Sequence, residues 1–159
     1  MTAARGLRNH NPGNLIDLGI SWDGLALVKD RTEAQLKEHK FCVFKAPWWG
    51  IRAMTRVLHR YYHHHGLKTV ETMLNRYAPA HENPTNEYQQ HVAKAMGVKP
   101  STQLLLNYTT MEGLVRAIIE FENGANPYSW ELPAGLIMAG YEPLAVVQSD
   151  GSLQYRFKV

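Results

Sequence analysis

The chain has 159 residues, 45% of them hydrophobic and 19% charged, which suits one globular domain with a real core and argues against disorder. Its single cysteine, Cys42, rules out an internal disulfide. A net charge of +3 and a pI of about 9.0 suit an anionic polymer, either nucleic acid or bacterial cell wall.

Residues 5–46 read as loop and short strand. Asn9-His10-Asn11-Pro12-Gly13-Asn14 is dense turn chemistry. Leu15-Ile16, Ile20-Ser21-Trp22, Leu25 to Val28 and Lys40 to Lys45 are strand candidates, with Asp23-Gly24 as a hairpin turn and Cys42 as a buried small hydrophobe. Lys29 to Lys40 is polar and fits no single pattern.

Helical spacing then takes over. Pro47 opens a helix whose apolar positions run from Ile51 through Tyr62 and stop at Gly66. Thr69 caps a short helix with Val70, Met73, Leu74 and Tyr77 inward. Asn83-Pro84 starts a third, with Tyr88, Val92, Ala95 and Met96 on one face and Gly97 as its stop. Thr110 caps a fourth that ends at Glu122, Leu132 to Tyr141 suggests a further short one, and Ala145–Gln148 with Leu153–Phe157 suggests a closing hairpin. The fold class expected is α+β, mainly helical, as a single domain over 1–159 with a small N-terminal β region.

Two acids near the end of the fourth helix differ in environment. With Met111 at zero and about 100° per residue, Glu122 falls at roughly 20°, inside the stripe made by Met111, Leu114, Val115, Ile118 and Ile119. Glu120 falls at about 180°, one turn after Arg116, and reads as a solvated charge. A carboxyl group carried on an apolar face to a helix end is partly desolvated, and desolvated carboxyl groups serve as general acids. Glu82, in the aromatic-flanked loop Tyr77-Ala78-Pro79-Ala80-His81-Glu82-Asn83, is a second acid candidate. Its bland alternative is a residue held by the dipole of the following helix.

Other groups carry less. His59 and His63 lie one turn apart, but no carboxylate or cysteine is spaced to complete a metal site, so no metal and no cofactor is expected. Arg52, Arg56 and Arg60 form the one basic helical row, a weak match to a phosphate-binding face. Trp22, Trp48, Trp49, Tyr77, Tyr128 and Trp130 fall in or beside loops and helix ends, where aromatic faces stack on sugar rings. Asn9, Asn11, Asn14, Asn123 and Asn126 could hydrogen-bond hydroxyl and acetamido groups. Packing and turn formation are the competing roles for each taken singly.

Three segments resemble lysozyme-like cell-wall hydrolases. Ala117-Ile118-Ile119-Glu120-Phe121-Glu122-Asn123-Gly124-Ala125-Asn126-Pro127 is similar to the catalytic helix end of soluble lytic transglycosylases, with Asn123 where Ser is usual. That match implies Glu122, not Glu120, as the catalytic acid. Asn11-Pro12-Gly13-Asn14-Leu15, Trp22-Asp23-Gly24, Phe41–Phe44 and Pro47-Trp48-Trp49-Gly50 resemble, in the same order, the bacterial glucosaminidases. Tyr77-Ala78-Pro79 and Tyr88-Gln89-Gln90-His91-Val92 resemble their closing segment. The Glu helix comes last here and first in those families, so the resemblance implies a circular permutant of the lysozyme-like arrangement. The run from Arg5 to Tyr128 also resembles small phage and prophage proteins, described as virion structural proteins or peptidoglycan hydrolases.

The resemblance implies a phage or prophage muramidase or lytic transglycosylase that cuts between N-acetylmuramic acid and N-acetylglucosamine. Glu122, with Glu82 as the other candidate, would supply the proton, and Asn11, Asn14, Trp22, Tyr77 and Tyr128 would line the sugar cleft. A hydrolytic route needs a second carboxylate, for which Asp17, Asp23 and Glu82 are the candidates. The partner expected is bacterial peptidoglycan, with virion proteins as a further partner and no nucleic acid. The form expected is a monomer. Met1 to Gly6 has no apolar signal core and no apolar run reaches membrane-spanning length. The expectation is therefore synthesis in the host cytoplasm, followed by action on the periplasmic wall after holin release, as an endolysin, or as a virion component. The alternatives are a non-catalytic virion or wall-binding protein and a small nucleic-acid-binding protein.

Overall fold

A computed structural model of the chain describes residues 3–79, 85–147 and 153–156. Seven helices occur among them: α1 (Arg5–Arg8), α2 (Glu33–Leu36), α3 (Pro47–His65), α4 (Val70–Tyr77), α5 (Thr85–Ala95), α6 (Tyr108–Asn123) and α7 (Glu131–Met138). The chain is mainly helical.

Each long helix has a readable start and stop. α3 opens with Pro47, whose missing N–H costs nothing in the first turn, and stops at Gly66 in the left-handed region. α4 is capped by Thr69, whose hydroxyl accepts from Thr72 N while the Thr72 hydroxyl is bonded in return by Thr69 N. The cap of α6 is Asn107, not Thr110: Asn107 Oδ1 accepts from Thr110 N at 2.9 Å, and Thr110 itself lies inside the helix. Gly124, again left-handed, ends α6 just after the two acids.

The stripe Met111, Leu114, Val115, Ile118 and Ile119 is fully buried, as its spacing predicts. It packs with Ile51, Met54 and Leu58 of α3 and with Met73 and Leu74 of α4. Burying each such side chain contributes about 1.5–3 kcal/mol. α3 and α7 pack closely enough that a Cβ on Gly135 would run into the Ile51 side chain. Arg52 Nε and an Arg56 guanidinium nitrogen donate to the Met138 and Ala139 carbonyls at the end of α7, and Arg52 also pairs with Asp23 at 2.6 Å. Two members of the basic row are therefore engaged within the fold.

The N-terminal β region reduces to two isolated antiparallel bridges, Ile16 with Phe41 and Leu25 with Phe44. Residues 42–45 are extended, but their amides are served by separate pieces of loop. Cys42 N donates to Leu15 O, Phe44 N to Asn9 O and Lys45 N to Gly24 O. Among the described residues no continuous partner strand lies alongside for a ladder to propagate. Cys42, Phe44 and Ala53 form a small satellite core with Trp22 and Trp49 against it. Residues 28–36 resolve into one 3-10 turn, Val28–Asp30, and α2. The closing hairpin is present as β1 (Leu144–Val147) antiparallel to β2 (Leu153–Arg156), with Ala145 opposite Tyr155.

Candidate active site

The segment 9–15 crosses the C-terminal end of α6 and is fastened there by side-chain amides. Asn11 is fully buried; its Nδ2 donates to the Leu15 and Cys42 carbonyls, and its Oδ1 accepts from Leu15 N. Asn123 Nδ2 donates to Pro12 O at 2.8 Å and to Ile119 O at 2.9 Å, tying this loop to the helix that carries the acid. The Tyr77 hydroxyl, at the end of α4, donates to Gly13 O at 2.6 Å. Glycine is required at that point, because a Cβ would run into the Tyr77 hydroxyl and the Met54 side chain.

These bonds place Asn14 in the left-handed region, at φ 49°, which asparagine tolerates better than most residues. From there Asn14 Nδ2 donates to Glu122 Oε2 at 2.7 Å. The other carboxyl oxygen, Oε1, accepts from the Tyr88 hydroxyl at 2.9 Å. The Tyr88 ring stacks on Phe121, with centroids 3.9 Å apart and planes 14° from parallel, so α5 and α6 fix its position. Burial first, and then the charge of Glu122, hold the Tyr88 and Tyr77 hydroxyls protonated far into alkaline conditions. Both are neutral donors at physiological pH.

Glu122 thus stands between two neutral donors, and no Lys, Arg or His among the described residues is ion-paired to it. It opens onto a cleft of about 520 Å³ whose lining includes Asn14, Trp22, Tyr61 and Tyr77. That volume fits two or three sugar-sized groups rather than a single small metabolite. A hydroxyl on Oε1 is adaptable, since it donates to a carboxylate and accepts from a carboxylic acid.

Of the residues singled out from the sequence, Glu122, Asn14, Trp22 and Tyr77 share this cleft. Asn11 holds the loop from inside and Tyr128 is buried in the main core, so neither is in the lining. Glu82 lies outside the described residues. Trp48 pairs with Trp130, centroids 5.2 Å apart, and Trp49 packs over Gly24 in the satellite core. Arg116 pairs with Glu112, one turn before it, and not with Glu120. His59 Nδ1 bonds the Tyr141 hydroxyl at 2.9 Å, and no group of three metal-ligating side chains occurs among the described residues. The reading of the sequence missed Tyr88, Tyr61 and Phe41. Tyr88 carries a packing signal and a place in the glucosaminidase-like segment, but neither points to its hydroxyl, whose partner is 34 positions away.

Fold and site together define a small, mainly helical domain built around a cleft glutamate clamped by an amide and a phenol. No family model matches the sequence. The chain is 40% identical over 132 residues to Protein P5 of Pseudoalteromonas phage PM2, an alignment covering 81% of this chain and 77% of that protein. It belongs to the family of that phage protein.

Proposed function

We propose that this is a phage-encoded peptidoglycan glycosidase, of muramidase or lytic transglycosylase type, with Glu122 as general acid. The observation that carries the reading is Glu122 itself: a carboxyl group on the cleft wall, held by Asn14 and Tyr88 and ion-paired to no Lys, Arg or His among the described residues. A general acid must be held in position, and the bonds from Asn14 and Tyr88 support that role for Glu122. Trp22, Tyr61 and Tyr77 supply aromatic surface of the kind that sugar rings stack on.

The route proposed uses one carboxylate, because Glu122 is the one acid in the cleft lining among the described residues, to which Glu82 does not belong. Asp17 Oδ1 accepts from Gly19 N and Asp23 is paired to Arg52; neither lines the cleft. In the proposed reaction Glu122 gives its proton to the glycosidic oxygen as the bond from muramoyl C1 breaks, and the N-acetylglucosamine 4-hydroxyl departs. The Glu122 carboxylate then takes the proton of the muramoyl 6-hydroxyl as that oxygen bonds C1, which yields an anhydro end. Delivery to the periplasmic wall, within a virion or after holin release, and action as a monomer belong to the same proposal. No helix of the described residues is long and apolar enough to cross a membrane.

The test is clearance of purified Gram-negative peptidoglycan by wild type, Glu122→Gln and Glu82→Gln. The reading predicts clearance by wild type and Glu82→Gln and none by Glu122→Gln. Loss of activity in Glu82→Gln alone would move the acid to that residue. A wild type that binds the wall without clearing it would make the chain a wall-binding module.

A further inference from the structure

The cleft also carries three cations that acid catalysis does not use. Arg5, Lys40 and Arg76 all line it, and Glu122 is the one acid in that lining among the described residues. The Arg5 guanidinium lies 4.3 Å from the centroid of the Phe41 ring and Lys40 Nζ lies 5.4 Å from it. The Arg76 guanidinium lies 5.3 Å from the Tyr61 ring. Phe41 and Tyr61 line the same cleft, so each ring is a shelf that keeps a charged head at the cleft edge.

Arg8, Arg52 and Arg116, outside the lining, each pair with a carboxylate. No carboxylate among the described residues pairs with Arg5, Lys40 or Arg76. Positive charge beside a glycosidic bond opposes the cationic character that develops at the anomeric carbon. Three cations with no carboxylate ion pair among the described residues therefore suit a substrate that brings negative charge of its own.

Building on the glycosidase reading, we infer that Arg5, Lys40 and Arg76 bind the carboxylates of the peptide stems that the glycan carries. The substrate is then a peptide-bearing strand and not bare glycan. Guanidinium groups suit carboxylates because they donate two parallel hydrogen bonds, and Lys40 adds a point charge.

The experiment measures binding and cleavage separately, on soluble glycan strands with intact stems and on the same strands after amidase removal of the stems. Calorimetry on Glu122→Gln protein gives affinity without turnover. About tenfold tighter binding of the stem-bearing strands is expected, weakening as salt rises. That preference disappears in Arg5→Gln/Lys40→Gln/Arg76→Gln and is retained when the arginines are changed to Lys, which keeps the charge. Equal binding of both strands, no binding of either, or an unchanged preference in the Gln variant would overturn the inference. Cleavage by wild type is scored on its own. Preference in binding with no cleavage of either strand leaves the cation role standing and removes the glycosidase. Cleavage of both strands at equal rates, without preferential binding, does the reverse.

Discussion

Asn14 Nδ2 reaches Glu122 Oε2 at 2.7 Å, although the two residues are 108 positions apart in the chain. The contact joins the first loop to the end of α6, and its geometry depends on a backbone conformation that few residues adopt. Asn14→Ala combines two losses, the amide contact and the backbone tolerance, and a strained left-handed alanine costs about 1–2 kcal/mol. Asn14→Gly removes the amide alone. We expect Asn14→Gly to keep wild-type stability within about 1 kcal/mol while cleavage falls by about tenfold or more. Urea unfolding beside an initial-rate assay separates the two effects, and full activity in Asn14→Gly would mean that the contact is structural.

Tyr88→Phe deletes one hydroxyl and leaves the stack on Phe121 in place. Stability should change by no more than about 1.5 kcal/mol, since a single neutral hydrogen bond contributes about 0.5–1.5 kcal/mol. Cleavage should fall about tenfold, with a displaced pH–rate profile, because Oε1 loses its adaptable partner. A fall in rate with no displacement of the profile would limit the Tyr88 hydroxyl to positioning the Glu122 carboxyl group.

Gly50 packs where a Cβ would strike the His10 carbonyl, a backbone atom that cannot swing aside. Gly50→Ala should therefore lose about 1–3 kcal/mol, the usual range for overpacking. Its effect on cleavage should exceed what the lost stability explains, because His10 lies in the turn that leads to Asn14. Thermal melts and rates measured on the folded fraction check both parts.

The tyrosines predict an alkaline limit. Burial first, then nearby negative charge, raises Tyr77 and Tyr88 well above their ordinary value, while Tyr108 and Tyr128 are pushed up to about 12. A folded-state pKa above the unfolded one means that the unfolded chain loses its protons first. The tyrosine contribution is therefore whole below about pH 10 and falls as pH rises beyond it. Burial, assisted by neighbouring His63 and Arg56, lowers His59, so its contribution has the opposite sign and is lost as pH falls below about 6.5. Burial also pushes the Cys42 thiol up to about 11, so its contribution is lost as pH rises beyond about 9; melting temperature should be flat from about pH 6.5 to 9 and drop on both sides, most steeply on the alkaline side.

The helices were legible because their signals are local. Pro47 and Gly66, Thr69, and the stripe from Met111 to Ile119 each specify a start, a stop or a face without reference to distant residues. The same stripe put Glu122 on the cleft side of α6. The N-terminal strands were misjudged because short apolar runs such as Leu25 to Val28 look like strands whether or not a partner exists; Leu27 and Val28 are in fact exposed. Asn11 and Asn14 are the same residue type in one turn, and only the fold makes one a buried fastener and the other a partner of Glu122. The contact of the Tyr88 hydroxyl is not legible for a related reason, since a ring on an apolar face gives no sign of what its hydroxyl meets.

The most direct test of Glu122 as the acid is mass spectrometry of the fragments released from purified peptidoglycan by wild type and by Glu122→Gln. The account predicts that wild type releases fragments one water lighter than hydrolytic products, and that Glu122→Gln releases about 10²–10⁴-fold less while keeping its fold. Equal release by Glu122→Gln, or no glycan cleavage by wild type, would contradict it.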